Sequence, residues 1–218
     1  GIPREKLLPW GIPVRQSFMK QWNKKEARKI CHIPQNNKSY LVMGGSMGFG
    51  KIQIFVLELA CRMEADEDMV VICGNNKKLE TLLKRELVHR KNVRVLGYTD
   101  QVAAYMAACD VIFTKPGGLS STEAAVMGIP MVHTNPIPGC ETKNVEFFQK
   151  HGMSIGKRSF VGQVRTGEKL LEREKLRAQM QEAQKKNSRP EAAERICKLL
   201  EELTGNKENR IIDLEIIQ

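Results

Sequence analysis

Residues 111–131, VIFTKPGGLSSTEAAVMGIPM, join an apolar run to an alanine-rich run through one proline and two glycines. The apolar run predicts a strand, and residues 120–127 predict a helix. Pro116 ends the strand, and Gly117 and Gly118 allow the backbone to approach a ligand closely. The stretch therefore predicts a strand, a tight loop and a helix, with the loop at the carboxyl end of the strand.

The same unit recurs along the chain. Strands are predicted at residues 39–45, 68–74, 92–98, 110–115 and 129–135, followed by helices at 49–63, 77–89, 101–109, 120–127 and 142–151. The strands are continuous apolar runs, which indicates a parallel sheet covered on both faces. Five such units predict an α/β fold with a Rossmann-like, doubly wound parallel sheet.

The chain is expected to have three parts. Residues 1–38 form an N-terminal or interdomain segment with two G-I-P turns and a basic helix around residues 19–30. Residues 39–156 form the Rossmann-like core. Residues 157–218 form extra helices, predicted at 164–186 and 190–203, that pack on the core.

Five glycine-rich or polar loops follow the predicted strands: GGSMGFG, CGNN, GYTD, KPGGLSS and NPIPGCE. Ligands of open α/β sheets bind at the carboxyl ends of the strands, so the five loops together predict one composite site. The first loop resembles a P-loop, but Ile52 stands where a Mg²⁺-binding hydroxyl is needed. A dinucleotide pattern started at Gly48 ends on Gln53. An NTPase and a dehydrogenase are thus disfavoured.

The fourth loop predicts a site for a diphosphate. The first N–H groups of a helix have no partner within the helix, and its dipole favours an anion there. Glu123 has two interpretations. It could close a capping box with Ser120, or its carboxylate could accept hydrogen bonds from ribose hydroxyls near the diphosphate.

Composition indicates the class of protein but not its binding partner. The 218 residues are 41% hydrophobic, 28% charged and 6% aromatic, and the formal charge is +10. This indicates a globular protein whose partner could be a nucleic acid, an anionic membrane surface or an anionic small molecule. No stretch predicts a membrane span or a signal peptide. The six cysteines form no C-x-x-C pair, which favours a reducing cytoplasm, and no metal-site spacing is present.

The five strand-and-loop motifs, together with GIPVRQSF upstream, resemble the C-terminal, donor-binding half of GT-B glycosyltransferases. The nearest match is the monogalactosyldiacylglycerol synthase and processive diacylglycerol glucosyltransferase family. The match spans roughly residues 11–151, where KPGG-x-x-x-x-E and N-P-x-P-G-x-E stand at the expected spacing. The resemblance implies a UDP-sugar as donor, a lipid acceptor such as diacylglycerol, and inversion at the sugar.

The resemblance also implies site residues. Thr99 would pair with uracil through its backbone, and Glu123 would bind the ribose. The residues implied around the diphosphate are Arg15, Gly45, Ser46, Gly118, Leu119 and Ser120. Glu141 and Asn144 would read the hexose. Cys140 replaces the glutamine common in the family, which leaves the choice of hexose open.

We expect catalysis without a metal or other cofactor, because these groups can stabilise the departing diphosphate and no D-x-D pair is present. The resemblance implies that the acceptor pocket and the general base lie in an N-terminal domain, and the chain looks like a piece of a longer protein. We expect a cytoplasmic location, with peripheral contact to an anionic membrane and no nucleic-acid partner. The alternatives are a nucleotide-sugar-binding or epimerase-like domain without transferase activity, and a basic nucleic-acid-binding domain.

Overall fold

A computed structural model describes residues 2–44, 52–134, 136–139 and 141–204. Six strands form one sheet: β1 (Lys38–Met43), β2 (Glu67–Ile72), β3 (Val93–Leu96), β4 (Val111–Thr114), β5 (Met131–His133) and β6 (Ile155–Gly156). The helices are α1 (Gln16–Met19), α2 (Lys24–Ile30), α3 (Ile52–Arg62), α4 (Lys77–Glu86), α5 (Val102–Ala108), α6 (Gly118–Met127), α7 (Thr142–Lys150), α8 (Phe160–Glu172), α9 (Glu174–Asn187) and α10 (Ala192–Thr204). A short 3₁₀ turn, Arg4–Lys6, precedes them.

All neighbouring strands are parallel, in the order β3-β2-β1-β4-β5-β6. The prediction of a doubly wound Rossmann-like sheet is therefore confirmed. The strand order reverses between β1 and β4: strands β1 to β3 extend toward one edge of the sheet, and strands β4 to β6 extend toward the other. Parallel sheets of this order bind ligands in the crevice at such a switch point, at the carboxyl ends of the strands.

Two hydrophobic cores cover the two faces of the sheet. On β1, Leu41 packs into a core shared with α2, α5 and α6, whereas Tyr40 and Val42 pack into a core shared with α3, α4 and α8. Burial on both faces accounts for the continuous apolar strands in the sequence. The sixth strand, β6, has only two residues and carries no signal long enough to predict it.

The N-terminal segment is attached to the core by a buried arginine. Arg28 of α2 donates to the carbonyl oxygens of Ala108, Pro34, Gln35 and Asn37, and it also pairs with Asp110 at 2.9 Å. Beyond Met19, the last residue of α1, the predicted basic helix at 19–30 is helical only over α2, Lys24–Ile30, because the chain is extended at Lys20 and α2 starts after Asn23. The side chain of Asn23 accepts from the N–H groups of Lys25 and Glu26, which caps α2.

One predicted helix is wrong: residues 164–186 belong to two helices that meet at Arg173. Arg173 has a non-helical backbone and ends α8 while it starts α9. The two helices have different neighbours, since α8 packs on α3 and β4 and α9 packs on α6. The chain must turn to reach both. Within the described residues, no helix is both long enough and apolar enough to span a bilayer.

Candidate functional site

The fourth loop leads into α6, whose first amide groups are free in the sense that they have no partner within the helix. Gly117 is the N-cap residue, and the first intrahelical bond runs from Ser121 N–H to the Gly117 carbonyl at 3.1 Å. The N–H groups of Gly118, Leu119 and Ser120 therefore precede the first bond of the helix. Leu119 is exposed, so this end of α6 faces solvent. Gly128, in the left-handed conformation at φ 69°, ends the helix.

The capping-box interpretation of Ser120 and Glu123 is wrong. The helix begins at Gly118 rather than Ser120, which puts Ser120 in the first turn and not at the cap. The N-cap glycine has no side chain that could cap the helix. Glu123 is consequently not tied to the start of α6 by a reciprocal hydrogen bond.

The N-terminal segment lies along α6. A Cβ atom on Gly118 would stand 3.1 Å from the Cδ1 atom of Ile12, so only glycine allows this close approach without a shift. Further along the segment, Arg15 places its guanidinium 3.8 Å from the Glu123 carboxylate. The same guanidinium stacks over the ring of Phe18, 5.1 Å from its centroid.

The two members of this ion pair differ in exposure. The side chain of Arg15 is 61% exposed, and that of Glu123 is 14% exposed. Burial raises the pKa of Glu123, and the charge of Arg15 lowers it in part. Arg15 thus favours the ionised carboxylate, while its own side chain stays largely exposed.

The loop before α7 supplies two further predicted residues. Glu141 accepts a hydrogen bond from Ile137 N–H at 2.7 Å, and its carboxylate would lie 3.9 Å from a Cβ atom on Gly117. Asn144 donates to the Pro116 carbonyl at 2.8 Å. The side chain of Asn144 therefore braces the proline–glycine turn, a structural contact that the sequence did not indicate.

The structure brings together most of the predicted residues that it describes. Arg15, Gly118, Leu119, Ser120, Glu123, Glu141 and Asn144 surround the start of α6. Thr99 lies in another loop of the same sheet edge, after β3, where its hydroxyl accepts from Gln101 N–H at 3.1 Å. Gly45, Ser46 and Cys140 lie outside the described residues.

A buried group of three hydrogen-bonded side chains behind α6 was not predicted. His133, the last residue of β5, contacts the Ser121 hydroxyl through Nε2 at 3.0 Å and the Ser154 hydroxyl through Nδ1 at 3.1 Å. All three residues are buried, and Phe148 meets the imidazole edge to face. Burial lowers the pKa of His133 to about 4, so the ring is neutral at pH 7. The sequence shows only a histidine at the end of a strand.

A cavity of about 650 Å³ lies at the opposite edge of the sheet. Its lining includes Gly128, Asp110 and Pro130, at the C-terminal end of α6 and the amino ends of β4 and β5, and Trp22, which lies between α1 and α2. The cavity is therefore separate from the loops described above. We assign the candidate site to the carboxyl edge because the convergent charged groups and free amides lie there.

Comparisons with known proteins identify the family of the chain. The family model of glycosyl transferases group 1 matches residues 24–187. The processive diacylglycerol beta-glucosyltransferase of Staphylococcus carnosus is 31% identical over 153 residues, which cover 70% of this chain and 39% of that protein. Its namesake in Bacillus cereus (strain AH187) is 30% identical over 198 residues, which cover 90% of this chain and 50% of that protein. The chain thus spans half or less of the length of these relatives.

Solved structures share the fold at low identity. A glycosyltransferase of Rickettsia africae matches with a TM-score of 0.69 and 13% identity, over 94% of this chain and 59% of that one. A UDP-GlcNAc 2-epimerase of Neisseria meningitidis, bound to UDP-GlcNAc, matches with a TM-score of 0.60 and 18% identity, over 82% of this chain and 48% of that one. Both likenesses concern the fold alone.

Proposed function

Since the chain belongs to the group 1 glycosyl transferases, we propose that it forms the donor-binding half of a hexosyltransferase. The donor is a UDP-sugar, and the acceptor is a lipid, diacylglycerol. The names of the relatives support the lipid acceptor and a hexose as the transferred group. The observation that carries the donor assignment is that Arg15 pairs with the half-buried carboxylate of Glu123 on the same helix whose first amides have no partner within the helix.

The chemistry follows from these groups. As the bond between sugar and diphosphate breaks, negative charge builds up on the leaving UDP. The amides of Gly118, Leu119 and Ser120 and the positive end of the α6 dipole stabilise that charge, and Arg15 adds a planar pair of donors. Stabilisation by these groups requires no metal ion or other cofactor.

The remaining residues orient the donor. Glu123 accepts hydrogen bonds from the ribose hydroxyls, and the backbone at Thr99 pairs with uracil. Gly45 and Ser46 are proposed to bind the phosphates, and Glu141, Cys140 and Asn144 are proposed to bind the hexose. The ionised state of Glu123 that Arg15 favours is the state that accepts these bonds.

The acceptor pocket and the general base are proposed to come from residues outside this chain. That arrangement accords with the share of its relatives that the chain covers, 39% and 50%. The charge of +10 suits a cytoplasmic protein in peripheral contact with an anionic membrane, and no nucleic-acid partner is proposed.

Calorimetry on this chain tests the donor site. We expect UDP and UDP-hexoses to bind, and ATP and a short oligonucleotide not to bind. Glu123→Gln should weaken UDP by about tenfold or more, because hydrogen bonds to a charged group contribute about 1.5–3 kcal/mol. Arg15→Ala should also weaken UDP, whereas UDP affinity in EDTA should stay within about twofold.

Arg62→Ala is the matched control, since Arg62 forms an exposed ion pair with Glu58 at 2.7 Å on α3, away from the site. It should leave UDP binding unchanged. Selective binding of ATP or of the oligonucleotide, or equal UDP affinity in the wild type and Glu123→Gln, would refute the donor assignment.

A second candidate, an epimerase-like or purely nucleotide-sugar-binding protein, rests on the fold match to the epimerase. Incubating the longest natural protein that contains this chain with UDP-glucose and diacylglycerol discriminates between the two. A glycolipid product supports the transferase. Conversion of a UDP-sugar to its epimer, with no glycolipid formed, supports the alternative.

A further inference from the structure

We propose that His133 is a positioning residue for the diphosphate-binding turn of α6, acting through the Ser121 hydroxyl. The inference rests on the proposed function, because it concerns the same turn. It adds a residue that lies behind the site and would not touch the donor.

Ser121 links the first turn of α6 to the buried imidazole of His133. Ser121 directly follows the three residues with free amides, and its own N–H makes the first bond of the helix. Its side chain is fully buried and meets His133 Nε2 at 3.0 Å. This contact therefore anchors the first turn of α6 from the side that faces the sheet.

His133 is itself held rigidly. His133 is paired with Thr114 of β4 on one side and Gly156 of β6 on the other. Its Nδ1 atom meets the Ser154 hydroxyl at 3.1 Å, and the ring of Phe148 lies 5.4 Å away at an angle of 84°. With hydrogen-bond partners on both nitrogens, the ring is fixed in the plane that Ser121 requires.

The first turn of α6 needs such support if its amides are to bind a diphosphate. Helix amides bind a diphosphate well only when they point at it within about 0.5 Å of the productive geometry, and neighbouring groups must hold them there. Asn144 holds the preceding turn through the Pro116 carbonyl. His133 holds the turn that follows, so the free amides lie between two fixed points.

The test compares UDP with uridine, which lacks the diphosphate, on folded variants of this chain. His133→Leu and Ser121→Ala should each weaken UDP by about fivefold to tenfold and uridine by less than about twofold. The double variant should lose no more than either single variant, because both remove one contact. His133→Gln, which can restore a hydrogen bond to Ser121, should recover UDP affinity to within about threefold of the wild type.

Ser154→Ala is the control, because the Ser154 hydroxyl meets the imidazole at Nδ1, on the side away from Ser121; it should weaken UDP less than His133→Leu does. Thermal unfolding confirms that each variant is folded, and if His133→Leu is not, Ser121→Ala decides alone. Unchanged UDP affinity in the variants, or equal losses for UDP and uridine, would overturn this inference alone. Failure of the wild type to bind UDP would overturn the proposed function first and this inference with it.

Discussion

The buried imidazole of His133 should make stability depend on pH. Its pKa is about 4 in the folded chain and about 6.5 when unfolded, so the unfolded chain binds the proton more tightly. Stability from this group is complete above pH 6.5 and is lost as the pH falls toward 4. At about 1.4 kcal/mol for each tenfold change in proton affinity, the loss is roughly 3 kcal/mol.

Urea unfolding at several pH values between 4 and 7.5 measures this loss as a change in the free energy of unfolding. His133→Gln removes the titrating group and should flatten the curve by roughly 3 kcal/mol relative to the wild type. The comparison isolates His133 from Glu67 and Glu123, whose pKa values are raised by burial and which act in the opposite direction. His89→Gln, at an exposed position, is the control. If the wild type and His133→Gln lose stability in parallel, the imidazole is not buried in neutral form and the reasoning fails.

Further predictions concern the fold and the metal requirement. Arg28→Met should lower the free energy of unfolding by about 3 kcal/mol or more, because it leaves four carbonyl oxygens without the guanidinium donors and removes the buried cation that pairs with Asp110. Lys24→Met removes a half-exposed partner of the same carboxylate and should cost about 1 kcal/mol or less; urea unfolding measures both changes. Gly167→Ala should lower the melting temperature despite the better helix propensity of alanine, because the new Cβ would lie 2.2 Å from Cζ of Phe113. Phe113→Leu in the same chain should reduce the loss. Strictly additive losses for the two substitutions would contradict the clash. Glycolipid formation by the longest natural protein that contains this chain should persist in EDTA, and a strict need for a divalent ion would contradict stabilisation by Arg15 and the α6 amides.

The sequence was sufficient to predict five of the six strands of the sheet that the structure describes. Each strand of the core is a short apolar run bounded by a glycine loop, and the helices between them are amphipathic. The loops at the carboxyl ends then had to lie at one edge, which placed the site. The start of α6 was predicted two residues late, because the hydroxyl of Ser120 resembled a cap, whereas Gly117 holds that position without a side chain.

The contacts behind the site could not be predicted. Ser121, His133 and Ser154 lie in α6, in β5 and just before β6, and no local pattern indicates that they meet. The break at Arg173 was missed for a similar reason. The helical periodicity continues through it, and the turn arises because α8 and α9 pack against different partners. Such features depend on tertiary packing, which propensity and periodicity do not encode.

The central claim is that the first amides of α6 hold the diphosphate of the donor. Backbone ¹⁵N NMR of the chain titrated with UDP measures this directly. We predict that the amide signals of Gly118, Leu119 and Ser120 shift most with UDP and much less with uridine. Unchanged signals at these three residues, or shifts confined to the distant cavity around Trp22, would contradict the account.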